Sequence, residues 1–491
     1  MPMQKLSNAA LIDLPAGVCI PTYNRTAITP GIVHIGLGNF HRAHQSWYLH
    51  RLMQQGEALD WGIIGAGVRR GDEAQRKRLS AQDYLTTLIE LDPNGPSVEI
   101  VGSMIGFVPV EENNAALIRQ MANPAIRIVS LTVTEGGYYI DPVTNAFNSD
   151  HPDIRHDAAH PDSPRTAFGA MIAALKTRRR ESSGPFTCQS CDNLQGNGAI
   201  LRQTLVSLAR LSDPDLADWI DTNCSFPNSM VDCIVPATGP RELELARQFR
   251  INDAAPVTHE NFRQWVIEDD FCAGRPDWDK VDATFTQDVH AHETMKIRIL
   301  NGGHQIIADA GEILSLEYIS QCMSHPLIGA FFRKIARIEI ALQVKAAPGV
   351  APASYVDLID RRFSNPEIID TVRRVAFDGY SRQTGFVLPT LRDALANGDA
   401  VDGLALSQAI WARMCEGTRE DGTIIEPNDP VWDRLVITAR AAKSNPQAWL
   451  DQSDIYGDLG NNALFQVRFH TWLSLIWSEG LEAALVSYLQ G

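Results

Sequence analysis

Up to about residue 284 the chain alternates short, β-branched apolar runs with longer helical stretches, and no other feature limits its fold as tightly. "GIVHIGLGNF" (31–40), "WGIIGAGV" (61–68), "AIRIVSLTVTE" (125–135) and "GPFTCQSCDNL" (184–194) read as strands. "SMVDCIVPA" (229–237) reads as one that leaves the sheet at its proline. Apolar runs separated by helices form a parallel sheet with crossover helices. From about residue 285 the periodicity is helical, as in "HPLIGAFFRKIARIEIALQV" and "LALSQAIWARMCEG". At 491 residues the chain exceeds the ~250–300 that one core serves. The expectation is an α/β protein with a parallel-sheet domain over 1–284 and a mostly α-helical domain over 285–491. "HPDIRHDAAHPDSPRTA" (151–167) reads as a surface loop inside the first domain.

The first strand ends in Gly36-Leu37-Gly38, and a helix follows. In dinucleotide-binding sheets the first such glycine permits the tight turn. The second lets backbone N–H groups approach a pyrophosphate at a helix N-terminus. The full fingerprint has a third glycine where this chain has His41, so the match is partial and an ordinary turn is the competing reading. The acid expected near the end of the second strand is Asp72, in "GAGVRRGDE" beside Arg69 and Arg70. An acid there suits the ribose hydroxyl of NAD and arginines suit the 2′-phosphate of NADP; NAD is favoured. The residues expected to meet the nucleotide are Gly36, Gly38, Asn39, Phe40, Asp72, Thr134 and Glu135.

"ETMKIRILNGGHQIIADAG" (293–311) scans as a helix but carries an amine, an amide and an imidazole among apolar residues. At about 100° per residue, Asn301 falls about 140° from Lys296, His304 about 80° and Glu293 about 60°, while Arg298 points away at about 200°. Four chemically distinct groups on one side of a helix can form a reaction centre. The plain alternative is a polar face in water.

A net charge of −16 argues against nucleic acid and against an anionic membrane surface. No run approaches the length of a membrane span and the first residues lack a signal-peptide core, so a cytoplasmic protein is expected. Eight cysteines, few for this length, fit a reduced interior. Cys188 and Cys191 have the spacing of half a zinc site, but no second pair exists.

Taken together, "IVHIGLGNFHRAHQ", "VSLTVTEGGYY", "SCDNLQGNG", "FPNSMVDCIVP", "RQWVIEDDFCAGRPDWDKV", "MKIRILNGGH" and "RRFSNPEIIDTVRRVAFDG" resemble the polyol-specific long-chain dehydrogenases. The likeness runs from about 25 to 490, and Lys-x4-Asn-x2-His is its most specific element. It implies a Rossmann-type N-terminal domain, a helical C-terminal domain and metal-independent hydride transfer to a nicotinamide. It also implies Lys296 as general base, with Asn301, His304 and Asn193 at the reacting oxygen and Glu293 gating proton passage. Val231, Asp232, Arg374 and Arg382 would line the substrate. Two positions depart from the family pattern. Ala291-His292-Glu293 replaces Pro-Phe-Glu or Pro-Tyr-Glu, and Arg382 stands where lysine is common, presenting a planar fork in place of a point charge.

Free lysine, at pKa ~10.4, cannot accept an alcohol proton at neutral pH; burial and nearby positive charge would make it able to. Arg374 and Arg382 suit either the hydroxyls of a neutral polyol or the carboxylate of an aldonate such as mannonate. A neutral hexitol, mannitol oxidised to its ketose fructose, is favoured. Arabinitol, sorbitol, a metal enzyme using His41/His44 or His290/His292, and a non-catalytic nucleotide or sugar sensor are the rivals. The expected partners are the sugar alcohol or ketose alone, the protein acting as a monomer or weak homo-oligomer.

Overall fold

The computed structural model describes residues 4–141 and 146–491. By internal contacts the chain divides into two compact units, Met1–His290 and Ala291–Gly491.

The first unit is built on five strands: β1 (Pro30–Ile35), β2 (Gly62–Ala66), β3 (Met104–Phe107), β4 (Ile128–Leu131) and β5 (Thr187–Ser190). All neighbours are parallel and the order is β3-β2-β1-β4-β5, a Rossmann-type sheet. Strands covered on both faces read as continuous apolar runs, which is why β1, β2 and β4 stand out in the sequence. Alternation along β1 sends Ile32 toward one face, with Tyr48, Leu49, Leu52 and Met53 of the helix Gln45–Gln54 (α2). Val33 and Ile35 pack on the other face with Phe168, Met171 and Leu175 of the helix Ala167–Glu181 (α6). The remaining helices that matter below are α1 (Asn39–Ala43), α3 (Asp72–Ser80), α4 (Ala115–Ala122), α5 (Pro152–Ala159) and α7 (Asn197–Ser212).

Two expectations fail here. Residues 151–167 are not a plain loop, because 152–159 form α5. Pro152 occupies its first turn, the His151 side chain accepts the Asp153 N–H, and Ile154 is buried. Proline suits the first helical position, where its missing N–H costs nothing. The strand at 229–237 never joins the parallel sheet. Ser229–Asp232 (β6) pairs antiparallel with Gln264–Glu268 (β7), and β7 pairs parallel with Thr284–Thr286 (β8). A further mixed sheet joins Val257–Glu260, Thr86–Leu91, Ser97–Val101 and Val18–Cys19.

The second unit has no strand longer than an isolated bridge among the described residues. Its core runs from Met295 and Ile299 through Trp411 and Trp449 to Leu485. Three helices are interrupted by π-turns, at Lys296–Asn301, Ala336–Ile340 and Gln383–Val387. A buried polar chain crosses this core. The Asp309 carboxylate accepts from Gln305 (2.9 Å) and Gln383 (2.8 Å), Gln383 from Gln408 (2.7 Å), and Gln408 from Tyr456 (3.0 Å). No helix of the described residues is long and apolar enough to cross a membrane, and all eight cysteines are free thiols.

Candidate active site

In the first unit the chain leaves β1 at Gly36 with φ 91°. A Cβ there would lie 2.1 Å from the Thr132 carbonyl oxygen, so only glycine fits between β1 and β4. Gly38 caps α1 with an extended backbone, and a Cβ on it would meet nothing closer than 4.0 Å. The two glycines therefore serve different ends: the first makes the turn, the second keeps open space beside it.

That space is part of a cavity of about 520 Å3 bordered by Gly36, Gly38, Arg69, Asp72, Thr134 and Arg165. Asp72 Oδ2 accepts the Arg69 N–H at 2.9 Å, and its side chain packs where a Cβ on Gly67 would be. Arg70 instead pairs with Glu112 at 2.6 Å, a fully exposed contact of little energetic weight. Asn39 and Phe40 do not border the cavity among the described residues. The Asn39 amide is spent on Pro236 O (3.0 Å) and Thr238 Oγ1 (2.9 Å), and the Phe40 ring stacks on His44 at 4.8 Å. What they can still offer is backbone, since the first N–H groups of a helix have no partner inside it. The side chain of Glu135 lies outside the described residues.

His41, standing where the fingerprint wants glycine, is buried under the turn and stacks on His34 at 3.5 Å. His34 meets Ser130 Oγ (2.7 Å) and Thr132 Oγ1 (2.9 Å), and Thr132 Oγ1 donates to Gly36 O at 2.6 Å. Burial pushes His34 down to about 3 and His41 well below the ordinary imidazole value, so both rings are neutral. The third glycine is thus replaced by a packed support for the turn. His34 was legible only as a polar residue at an inward strand position.

Asn193 follows the end of β5. Asn197 ties that segment to β6, donating to Asp192 O (3.0 Å) and Ser229 O (2.7 Å) while its own oxygen accepts the Ser229 N–H (2.9 Å). Val231 and Asp232, on β6, are buried. One side chain therefore holds the two segments carrying the expected oxygen-binding and substrate-lining residues of this unit.

The helix Val289–Met295 (α8), which begins in the last two residues of the first unit, passes through the π-turn Lys296–Asn301 into the helix Gly302–Ile313 (α9) of the second. An ordinary helix would leave Asn301 far round from Lys296. The wider turn of i→i+5 bonding brings residue 301 closer to the face of residue 296 than regular helix spacing does. Glu293 and Lys296, and likewise Asn301 and His304, are three apart and share a face. By this spacing the four residues fall on one side of the helix, and Glu293 and Lys296 are both buried.

His304 stacks flat on Phe363, the last residue of the helix Pro352–Phe363 (α10), with centroids 3.8 Å apart and planes at 10°. Its Nε2 lies 3.9 Å from Asp370 Oδ2. Burial pushes the imidazole down to about 3; Asp370 opposes this, and Arg374, Arg362 and Arg382 add to it. His304 is therefore a neutral ring with one donor and one acceptor nitrogen. Sequence reasoning missed Asp370. This buried carboxylate takes the Arg374 fork through Nε and Nη2, both at 2.7 Å. Arg382 donates to Val375 O at 2.5 Å, and burial, with Arg374 next, lowers its pKa. The structure thus gathers His304, Asp370, Arg374 and Arg382, but the Arg374 fork is already engaged.

Among the described residues no group of three or more His, Cys, Asp or Glu side chains is placed to hold a metal ion. A narrow glycine turn at the C-terminal end of the central strand, a bordering acid and a cavity of this size together suit a dinucleotide.

Residues 30–280 match the profile of the mannitol dehydrogenase Rossmann domain, and residues 288–477 that of the mannitol dehydrogenase C-terminal domain. A mannitol 2-dehydrogenase from Cereibacter sphaeroides is 54% identical over 469 residues, covering 96% of this chain and 98% of the relative. Among solved structures, Pseudomonas fluorescens mannitol 2-dehydrogenase in ternary complex with NAD and D-mannitol superposes with a TM-score of 0.85 at 38% identity, over 99% of this chain and 100% of that one. D-sorbitol dehydrogenase in substrate-free form gives a TM-score of 0.93 at 31% identity, over 98% and 100%.

Proposed function

The chain belongs to the mannitol dehydrogenase family, and from that premise we propose that it oxidises D-mannitol to D-fructose with NAD, using Lys296 as the general base. What supports this reading is the π-turn, whose wider spacing brings Asn301 toward the side of the helix that carries the buried Lys296, with the neutral imidazole of His304 three residues on. An amine shielded from water loses solvation of its charged form, which favours the neutral base needed to take a hydroxyl proton.

Gly36, Gly38 and the first N–H groups of α1 would hold the pyrophosphate, and Asp72 the adenosine ribose. When bound, NAD accepts hydride from the carbinol carbon. Lys296 takes the hydroxyl proton, while the Asn301 amide donates to the oxygen as negative charge develops on it. Asn193 is assigned to the same oxygen. His304 donates from its neutral ring and is held in plane by Phe363. Glu293, one turn before Lys296, passes the proton onward. In reduction the charged amine returns the proton to the ketone oxygen.

Neutral polyol is favoured over aldonate because Asp370 already holds the Arg374 fork, so a substrate carboxylate would have to displace it. Residues 1–284 are assigned to nucleotide binding and 285–491 to substrate and base. The free thiols support a reducing, cytoplasmic location, with the enzyme working as a monomer or weak homo-oligomer. The test is a spectrophotometric panel of mannitol, sorbitol, arabinitol and mannonate with NAD and NADP. Mannitol with NAD should give the highest kcat/KM; NADH binding without turnover on any polyol would replace the enzyme with a sensor.

A further inference from the structure

Thr134, on the border of the cavity, has φ 70° and ψ 161°. That region is essentially reserved for glycine, and a β-branched side chain makes it costlier still. A backbone in this state persists only if its surroundings enforce it. Here the enforcing group is one carboxylate. Asp192 Oδ2 accepts the Val133 N–H at 3.0 Å and Oδ1 the Thr134 N–H at 2.9 Å. The fully buried Tyr138 hydroxyl donates to Oδ2 at 2.6 Å.

The carboxylate itself has little freedom. Asp192 is buried, its carbonyl accepts from Asn197 (3.0 Å) and from the Leu194 N–H (2.9 Å), and the Tyr138 carbonyl is held by Thr204 Oγ1 (2.9 Å). Hydrogen bonds to an ionised acceptor are roughly twice as strong as neutral ones, which suits a group that must oppose strain.

We propose that Asp192 is a positioning residue: its buried carboxylate clamps Thr134 in the strained conformation that gives the cavity wall its shape for the dinucleotide. The same residue sets the peptide that precedes Asn193, so one anchor serves the nucleotide wall and an expected oxygen-binding residue. This rests on the cavity being the nicotinamide nucleotide site, as argued above.

The experiment compares Asp192→Asn alone with Asp192→Asn combined with Thr134→Gly. NADH affinity is read by quenching of intrinsic tryptophan fluorescence, alongside the thermal midpoint. Asparagine keeps one acceptor oxygen but turns its N–H2 toward the other of the two backbone donors, so the wall should relax and Kd for NADH should rise about tenfold or more. Glycine tolerates the Thr134 conformation without strain, so in the Thr134→Gly background the same change should cost about threefold or less. An equal penalty in both backgrounds, or a lowered midpoint with unchanged Kd, overturns the clamp and leaves Asp192 a purely structural residue. If Asp192→Asn does not fold, Tyr138→Phe removes one support of the carboxylate and should show a smaller penalty that Thr134→Gly again suppresses. A wild-type protein that fails to bind NADH overturns the nucleotide reading and this inference with it, and the wild-type control separates that result from failure of the clamp alone.

Discussion

Gly36→Ala and Gly38→Ala should diverge, although both replace a glycine of the same turn. At Gly36 the new Cβ would sit 2.1 Å from Thr132 O, where ordinary contact begins at 3.4 Å. Neither backbone can retreat freely. The Gly36 N–H is bonded to Ala66 O and the Thr132 N–H to Ile35 O, both at 3.0 Å, and Thr132 Oγ1 holds Gly36 O at 2.6 Å. The positive φ costs an L-residue about 1–2 kcal/mol, and overpacking of this kind typically about 1–3 more. Relief requires the turn to move by about 1 Å, a misplacement that can cost about 10²-fold in kcat/KM. At Gly38, φ −93° and ψ −169° suit any residue. Stability there should hold or rise by about 0.4–1 kcal/mol through the stiffer unfolded chain. The methyl would instead stand in the space a pyrophosphate approaches, and Kd for NADH should rise about tenfold. Urea unfolding and NADH fluorescence titration of both variants separate the effects. If Gly36→Ala keeps its unfolding midpoint and binds NADH within about threefold of wild type, the argument from the crowded turn is wrong.

Lys296→Ala should lower kcat by several orders of magnitude with NADH affinity nearly intact; turnover at about a tenth of wild type would remove Lys296 as the base. Asp370→Asn should raise KM for the polyol about tenfold with Kd for NADH unchanged, because the carboxylate that orders Arg374 and faces His304 is lost; a change in NADH affinity alone would contradict this. His34, His259 and His304 are each pushed down to about 3 by burial. The unfolded chain therefore binds more protons than the folded one below its pKa of ~6.5. The stability they contribute is present above that value and is lost as pH falls toward 3, at about 1.4 kcal/mol per unit for each histidine. The urea midpoint should accordingly be lower at about pH 5 than at about pH 7, and an unchanged midpoint would refute the neutral-histidine account. Since an amine is assigned the proton, turnover should survive dialysis against EDTA; its loss and recovery with a divalent metal would favour the rival metal enzyme.

Local pattern determined a good deal by itself. β1, β2 and β4 could be read as apolar runs because strands covered on both faces have no polar side to hide. The Lys296, Asn301 and His304 set was legible because amine, amide and imidazole are conspicuous in an apolar helix. Tertiary structure alone decided the rest. Residues 152–159 became helical because Ile154 had somewhere to be buried. The π-turn that brings Asn301 closer to the face of Lys296 is invisible to a 3.6-residue periodicity. Asp370, and Asp192 beneath Thr134, are ordinary carboxylates in the sequence. Asp192 meets Thr134 more than fifty residues away across the sheet, and Asp370, besides Arg374 four residues on, faces His304 more than sixty residues back. Periodicity reports which face a residue occupies, whereas the hydrogen bonds that constrain this site depend on which distant segment arrives opposite it.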